Sequence, residues 1–257
     1  MNKNTIDLPT DKIITLDCDW APSFVIEYVA NILTSKKIKA TWFITNDFPF
    51  LDELKKNPLY EIGIHPNFAQ KSTQGQDPDS ILTNLKSLVP ESKSLRTHSL
   101  IQSSLLLPKF QKYGIENDVS LLLPKTKNIE PHYIKHINLF RFPYFWEDDF
   151  ELQENSNCWS INDPSYHATG LKIFNFHPIH VYLNSHDMKS YNLIKQNIGL
   201  GNLNEKIIQD YVDKNLLGAG AFFEDLINSL KSNNTYTIQD LQNIFKQKLK
   251  LTSCKNQ

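Results

Sequence analysis

Four apolar, β-prone runs in this chain each stop at an acid or a histidine. Lys12–Leu16 ends on Asp17-Cys18-Asp19, and Tyr60–Ile64 runs into His65-Pro66. Ser94–Arg96 leads into Thr97-His98-Ser99, and Leu171–Phe176 ends on His177-Pro178. Helical spacing intervenes: Phe24, Val25, Tyr28, Val29, Ile32 and Leu33 after the first run, then Ile81, Leu82, Leu85, Leu88 and Val89 behind the capping pair Asp77-Pro78. Lys39–Thr45, Val119–Leu123 and Asn138–Phe142 read as further strands. Strand–helix alternation predicts an α/β fold with a mostly parallel sheet. Such sheets place their chemistry at the carboxyl ends of the strands, which is where the four acid- and histidine-bearing segments fall.

The final third reads as helices over Glu205–Asp213, Ala221–Lys231 and Ile238–Lys250, the last opened by a capping-box pattern, Thr237 to Asp240. No repeat, low-complexity tract or linker divides the 257 residues, a length that suits one barrel of β/α units. The expectation is a single domain over 1–257, with a core over 12–181 and C-terminal helices over 204–250. Residues Glu151–Gly170, polar and aperiodic, are expected to form a long loop over a site.

Composition narrows the classes. A formal net charge of -1 gives no reason to expect a nucleic-acid or anionic-membrane partner. Cys18, Cys158 and Cys254 are odd in number and far apart, so neither a disulfide framework nor a thiolate zinc knuckle is expected. Reduced thiols, the absence of a long apolar run in Met1–Lys12 and the lack of any spanning stretch point to a cytoplasmic protein.

If the sheet curls, Asp17, Asp19, His65, His98 and His177 converge on one mouth. One aspartate and two histidines are enough to hold a zinc-like ion with positions left open. The remaining aspartate and histidine are then free for proton transfer. Any one of these residues alone would be read as a turn former or a hydrogen-bonded side chain; four such features in order, all at strand ends, argue for a site.

The strings TLDCD (15–19), TWFIT (41–45), EIGIHP (61–66), RTHSL (96–100) and FNFHP (174–178) resemble the polysaccharide deacetylase superfamily with its NodB-like domain. The spacing around HPNF, RTHSL and FHPIHVYLN is similar to the WbmS-like branch of surface-polysaccharide biosynthesis. The resemblance covers roughly Lys12–Val181 and implies a distorted (β/α) barrel and a metal-dependent hydrolase that removes an acetyl group from an N-acetylated sugar, whether free, nucleotide-linked or lipid-linked. It also implies a divalent cofactor, zinc before cobalt, nickel, iron or manganese. By that resemblance Asp17 is the catalytic base, Asp19 and His65 are metal ligands, and His177 is the general acid. The family's second histidine falls at Ala69, a departure, and His98 is expected to replace it. Arg96 is expected to orient the base, with Arg141 of Arg141-Phe-Pro-Tyr144 as a competing match. Trp20, Arg141, Tyr144 and Trp146 are expected to contact substrate, since aromatic faces suit sugar rings.

Two rival readings remain at this stage. The strand-plus-DxD opening, with Thr45 ending the second strand, also fits a haloacid-dehalogenase-like phosphatase using magnesium and a nucleophilic Asp17, which leaves three histidines idle. A decayed, carbohydrate-binding barrel is the other, and Ala69 is the feature that suggests it. His132 and His136 are expected on the surface, His180 on the far face of a strand in a structural or supporting role unless the chain turns there, Glu147-Asp148-Asp149 in a solvated turn with substrate contact as the alternative, and Gly218-Ala-Gly220 as a flexible cap.

Overall fold

A computed structural model of the chain describes residues 12–154, 159–214 and 217–254. Among the described residues, nine strands form one sheet: β1 (Lys12–Asp17), β2 (Ala40–Ile44), β3 (Tyr60–Ile64), β4 (Ser94–Leu95), β5 (Asn117–Asp118), β6 (His132–Ile134), β7 (Leu139–Arg141), β8 (Trp146–Glu147) and β9 (Lys172–Phe176). Their spatial order is β6-β7-β5-β4-β3-β2-β1-β9-β8. Every pairing is parallel except β6 with β7. The sheet curls into a half-barrel, the expected α/β deacetylase-type architecture. Its central strands are buried on both faces: every residue of β2 and β9 is shielded from solvent, as crossover helices on a parallel sheet require.

Ten α-helices among the described residues accompany the strands: α1 (Ser23–Ser35), α2 (Leu51–Lys56), α3 (Pro78–Leu88), α4 (Leu107–Lys112), α5 (Asp148–Glu154), α6 (Pro178–Leu183), α7 (Lys189–Asn197), α8 (Glu205–Ile208), α9 (Ala219–Ser229) and α10 (Ile238–Cys254). The apolar stripe of α1 buries Val25, Ile26, Val29, Ala30 and Leu33. Asp77 caps α3 by accepting from Ser80 N at 2.9 Å, with Pro78 at the first turn. The capping box of α10 is formed in both directions, Thr237 N to Asp240 Oδ2 and Asp240 N to Thr237 Oγ1, each 3.1 Å. No helix among the described residues is long and apolar enough to cross a membrane.

The structure corrects four local expectations. FHPIHVYLN is a strand that turns at His177 into helix α6, so His180 follows helical rather than strand geometry. Glu147-Asp148-Asp149 is not a solvated turn: Asp148 is fully buried and opens α5. The supposed loop from Glu151 therefore begins inside that helix; Cys158, with its neighbours 155–157, lies outside the described residues. The Gly218–Gly220 stretch is not a flexible cap but a close-packed one. A Cβ on Gly218 would lie 2.3 Å from Asn184 O, and one on Gly220 2.4 Å from Val181 O, so glycine is what lets α9 press against α6. His132 and His136 are exposed, as expected, on β6 and the turn after it.

Candidate active site

The carboxyl ends of β1, β3, β4 and β9 bring Asp17, Asp19, His65, His98 and His177 around one cavity of about 330 Å³. Asp19 gets there by a route that strand periodicity does not foresee. The chain leaves β1 at Asp17 and turns, with Ala21 N bonded to Cys18 O at 2.7 Å. Asp19 and Trp20 then adopt left-handed backbones, φ 39° and 56°. Ser99 and Leu100, beside His98, form a second such pair at 51° and 54°. Non-glycine residues held there cost of order 1–3 kcal/mol each, and such strain clusters at functional sites.

His65 continues the β3 ladder through its amide to Ile44 O, 2.8 Å, and Pro66 O accepts the amide of His98 at 2.9 Å. That bond fixes the two histidine loops against each other. Gln74 clamps the same turn from below, donating to Thr45 O (2.8 Å) and His65 O (3.0 Å) and accepting from Asn67 N (2.6 Å). Ala69 is exposed on the outside of this turn, and His98 supplies the second imidazole instead.

His65 Nε2 lies 3.0 Å from Asp19 Oδ1, His98 Nδ1 3.2 Å from the same oxygen, and the two ring nitrogens 3.4 Å apart. Two imidazoles and a carboxylate pointing at one place are a cation-binding donor set. Bonds of about 2.0–2.2 Å to a tetrahedral zinc ion put ligand atoms roughly 3.2–3.6 Å apart, close to the triangle seen here. The residues present therefore fit a zinc-like ion. Burial resists the charge on Asp19, but hydrogen bonds from His65 and His98 prevail and hold its carboxyl well below the usual range. Burial likewise opposes the charged form of His98, while Asp19 raises its pKa on balance.

Asp17 lies outside this triangle. Its Oδ1 accepts from Arg96 Nη1 at 3.0 Å and its Oδ2 from Asn175 Nδ2 at 2.9 Å; His65 Nδ1 stands 3.7 Å from Oδ1. Arg96 is fully buried. It donates through Nε to Val119 O (3.1 Å), through Nη2 to Thr15 Oγ1 (2.9 Å) and through Nη1 also to Asn175, while its plane lies between the rings of Phe43 (4.7 Å) and Tyr144 (4.3 Å). Arg141 is elsewhere, bonded to Asp118 at 2.8 Å and to Gln102.

His177 closes the other side. Its Nε2 is 3.6 Å from Asp19 Oδ2. Its Nδ1 donates to Asp148 Oδ1 at 2.6 Å, and its amide donates to Asp148 Oδ2 at 2.7 Å. Burial alone would lower the pKa of His177, but Asp149 and Asp148 raise it well above the ordinary value. His180, on the next turn, holds Asp149 at 2.8 Å.

Of the four expected substrate contacts, Trp20 opens onto an adjoining cavity that it lines with Asp19 and His98, edge-on to the His98 ring at 5.2 Å between centroids. Tyr144 and Trp146 do not: they are 0% and 1% exposed, Tyr144 behind Arg96 and Trp146 among Trp159, Phe174, Phe176 and Phe222. Arg141 is absent from the cavity lining. The cavity wall is instead completed by the half-buried Leu100, Leu122 and Phe150 and the exposed Gln153. Sequence reasoning missed Asn175 and the packing of Glu147, Asp148 and Asp149 against Asp17 and His177. The signal for the acids was available: like Asp17, they directly follow an apolar, β-prone run, Phe145-Trp146. The phosphatase reading loses its support, because Thr45 Oγ1 is occupied by Trp20 N and Asn46 and the three histidines face the aspartates.

Comparison with known proteins agrees with this geometry. Residues 14–195 match the family model described as WbmS-like polysaccharide deacetylase. A solved structure from Bordetella bronchiseptica, described as a candidate polysaccharide deacetylase involved in O-antigen biosynthesis, superposes with a TM-score of 0.78 at 28% identity, over 86% of this chain and 91% of that one. A second, from Mycobacterium smegmatis and described as a candidate polysaccharide deacetylase, shares the fold at a TM-score of 0.52 and 14% identity, over 90% and 93% of the two chains. No curated protein matches the sequence. With most of its length matched by the family model and its strand ends carrying a deacetylase-type constellation, the chain belongs to the WbmS-like polysaccharide deacetylases.

Proposed function

We propose that this protein is a metal-dependent N-deacetylase acting on an N-acetylated sugar destined for a surface polysaccharide. The observation that carries the reading is the Asp19–His65–His98 triangle flanked in one cavity by a base-like Asp17 and an acid-like His177. A divalent ion held by those three side chains, zinc being the best match to two imidazoles and a carboxylate, would polarise the amide carbonyl and acidify water.

The chain's own residues do the rest. Arg96 and Asn175 hold Asp17 with both oxygens oriented, so it can take a proton from the attacking water. The carbon–nitrogen bond then breaks as His177 gives its proton to the departing sugar nitrogen. Asp148 fixes the ring of His177 and favours its charged form, which is the form an acid must have. Leu100 and Leu122 give the acetyl methyl an apolar wall, and Trp20 offers an aromatic ring in the adjoining cavity it shares with Asp19 and His98.

Acetate release from N-acetylglucosamine oligomers and from a nucleotide-linked N-acetylhexosamine is the direct test. Activity should vanish on chelation and return with zinc or cobalt. D17N and H177A should each lower kcat by roughly 10²–10⁴-fold. Wild-type protein loaded with zinc that releases no acetate from any such sugar would refute the reading.

A further inference from the structure

We propose that the cavity adjoining the Asp19–His65–His98 triangle is a subsite for an anionic group carried next to the N-acetylated sugar, with Lys195 as the residue that selects it. The inference rests on the deacetylase reading and names the class of substrate that the same site takes.

The triangle opens on two sides. Asp19 and His98 line the main cavity and also a second one of about 300 Å³, completed by Trp20, Tyr191, Lys195, Gly199 and Leu200. A substrate that outgrows the first chamber passes these two residues into the next. The chambers differ in charge. The first presents Asp17, Asp19, Glu147 and Asp149, and neither lysine nor arginine is among the described residues that line it. In the second, Asp19 is the one acid among the described residues, already engaged by His65 and His98, and Lys195 adds a cation. An anionic substituent is repelled by the first lining and drawn to the second.

Lys195 is both placed and unspent. Tyr191 and Lys195 lie one helical turn apart on α7, so they share a face. The Lys195 ammonium stands 5.1 Å from the centre of the Tyr191 ring, and that ring packs at 4.8 Å against His180, which Asp149 holds at 2.8 Å. Lys189, at the start of the same helix, is paired with Asp187 at 3.0 Å. Lys195 has no carboxylate partner among the described residues. An ammonium of this kind is a point-charge partner for phosphate or carboxylate. Trp20 and Leu200 give the rest of the lining an aromatic and an apolar surface, which suits a sugar ring better than a bare ion.

The connectivity of the sugar agrees. On a 2-acetamido sugar the anomeric oxygen sits on the carbon next to the one that bears nitrogen. With the acetamido group at the triangle, whatever that oxygen carries is next in line for the adjoining cavity. The phosphate of a sugar 1-phosphate and the carboxylate of a neighbouring uronic acid both bring the required charge.

Matched pairs of substrates separate charge from size. Acetate release is measured on N-acetylglucosamine 1-phosphate against methyl N-acetylglucosaminide, and on N-acetylglucosaminyl-glucuronic acid against its methyl ester. Zinc-loaded wild type should favour the charged member of at least one pair by about tenfold in kcat/KM, and the pair that shows it identifies phosphate or carboxylate as the source. Added salt should shrink the preference. K195M should cut it about tenfold, K195E should reverse it, and K195R should keep most of it. Wild type that treats both pairs alike while releasing acetate sinks the subsite and leaves the deacetylase reading intact, as does K195M with its preference undiminished. The opposite failure is read by titration calorimetry with N-acetylglucosamine 1-phosphate. Binding that K195M weakens about tenfold, with no acetate released from any of the four sugars, would keep the anion subsite and overturn the deacetylase reading.

Discussion

Arg96 determines how Asp17 can behave. Its guanidinium is sealed between two aromatic rings and spends its donors on Asp17, Asn175, Thr15 and Val119. Arg96→Met would keep much of the volume but leave a buried carboxylate without its cation. The expected cost is about 3–5 kcal/mol of stability, read as a lowered denaturation midpoint, together with loss of acetate release; a variant as stable as wild type would count against the buried pair. Asp148 has the corresponding part beside His177. Because the folded pKa of His177 is raised, its proton survives through neutral pH and is lost only as pH climbs through that raised value. Asp148→Asn withdraws one of the charges that raises it. The basic limb of the kcat/KM profile should therefore move to lower pH, while the acidic limb should not follow; an unmoved basic limb would mean that His177 is not the acid. At this scale the residues that gather around the cavity are legible because a strand ending in an acid or histidine declares itself in one sequence. Tyr144 and Trp146 were misread because adjacency to a motif does not tell which side of the sheet a ring faces.

Elements were legible in proportion to their length. β1, β2, β3 and β9 run five or six residues and were found nearly to their ends. β4, β5 and β8 have two residues each, too few for any periodicity to register. They exist because the longer strands beside them present free edges. Helix α6 has no clear signal in the sequence, since Val181 and Tyr182 favour extended backbone, and tertiary packing against α1 and α9 overrides that preference. Helix α10, by contrast, announces its start through the Thr237–Asp240 capping box, and the structure shows how it docks. Glu116, just before β5, accepts from Lys246 at 2.7 Å and Gln242 at 2.8 Å on α10 and pairs with Lys93 at 3.1 Å. Burial opposes its charge, but these partners pull its pKa down to about 2. A depressed carboxyl pKa adds stability above the unfolded value of about 4.3 and loses it as pH falls toward 2. Glu116→Gln should thus destabilise by about 1 kcal/mol or less at neutral pH, the group being partly exposed. The gap from wild type should narrow below about pH 4.3. A gap that stays constant on acidification would show that the ion pairs contribute nothing.

The candidate ion site joins strands that are far apart in the chain. Asp19 follows β1, His65 follows β3 and His98 follows β4, so one cation held by all three would cross-link segments spanning some of the longest loops in the fold. The left-handed pairs at Asp19-Trp20 and Ser99-Leu100 belong to the same argument. Their strain persists only if the surrounding structure holds them, and a cation is one thing that would. An ion bound by the folded chain alone stabilises it by RT ln(1 + [ion]/Kd), about 2.7 kcal/mol at a hundredfold excess over Kd. For a chain of this size that corresponds to a rise in Tm of roughly 5–10 °C. Zinc added to chelator-treated protein should produce that rise, and H65A and H98A should each abolish it. Ala69→His should not restore it in H98A, since position 69 is exposed to solvent and lines neither cavity beside Asp19. If A69H rescued H98A, the turn after β3 would have to swing inward and the geometry assigned to the second imidazole would be wrong. If zinc left the melting of wild type untouched, Asp19, His65 and His98 would be a hydrogen-bonded cluster rather than a metal centre, and the hydrolytic reading would lose its source of Lewis acidity.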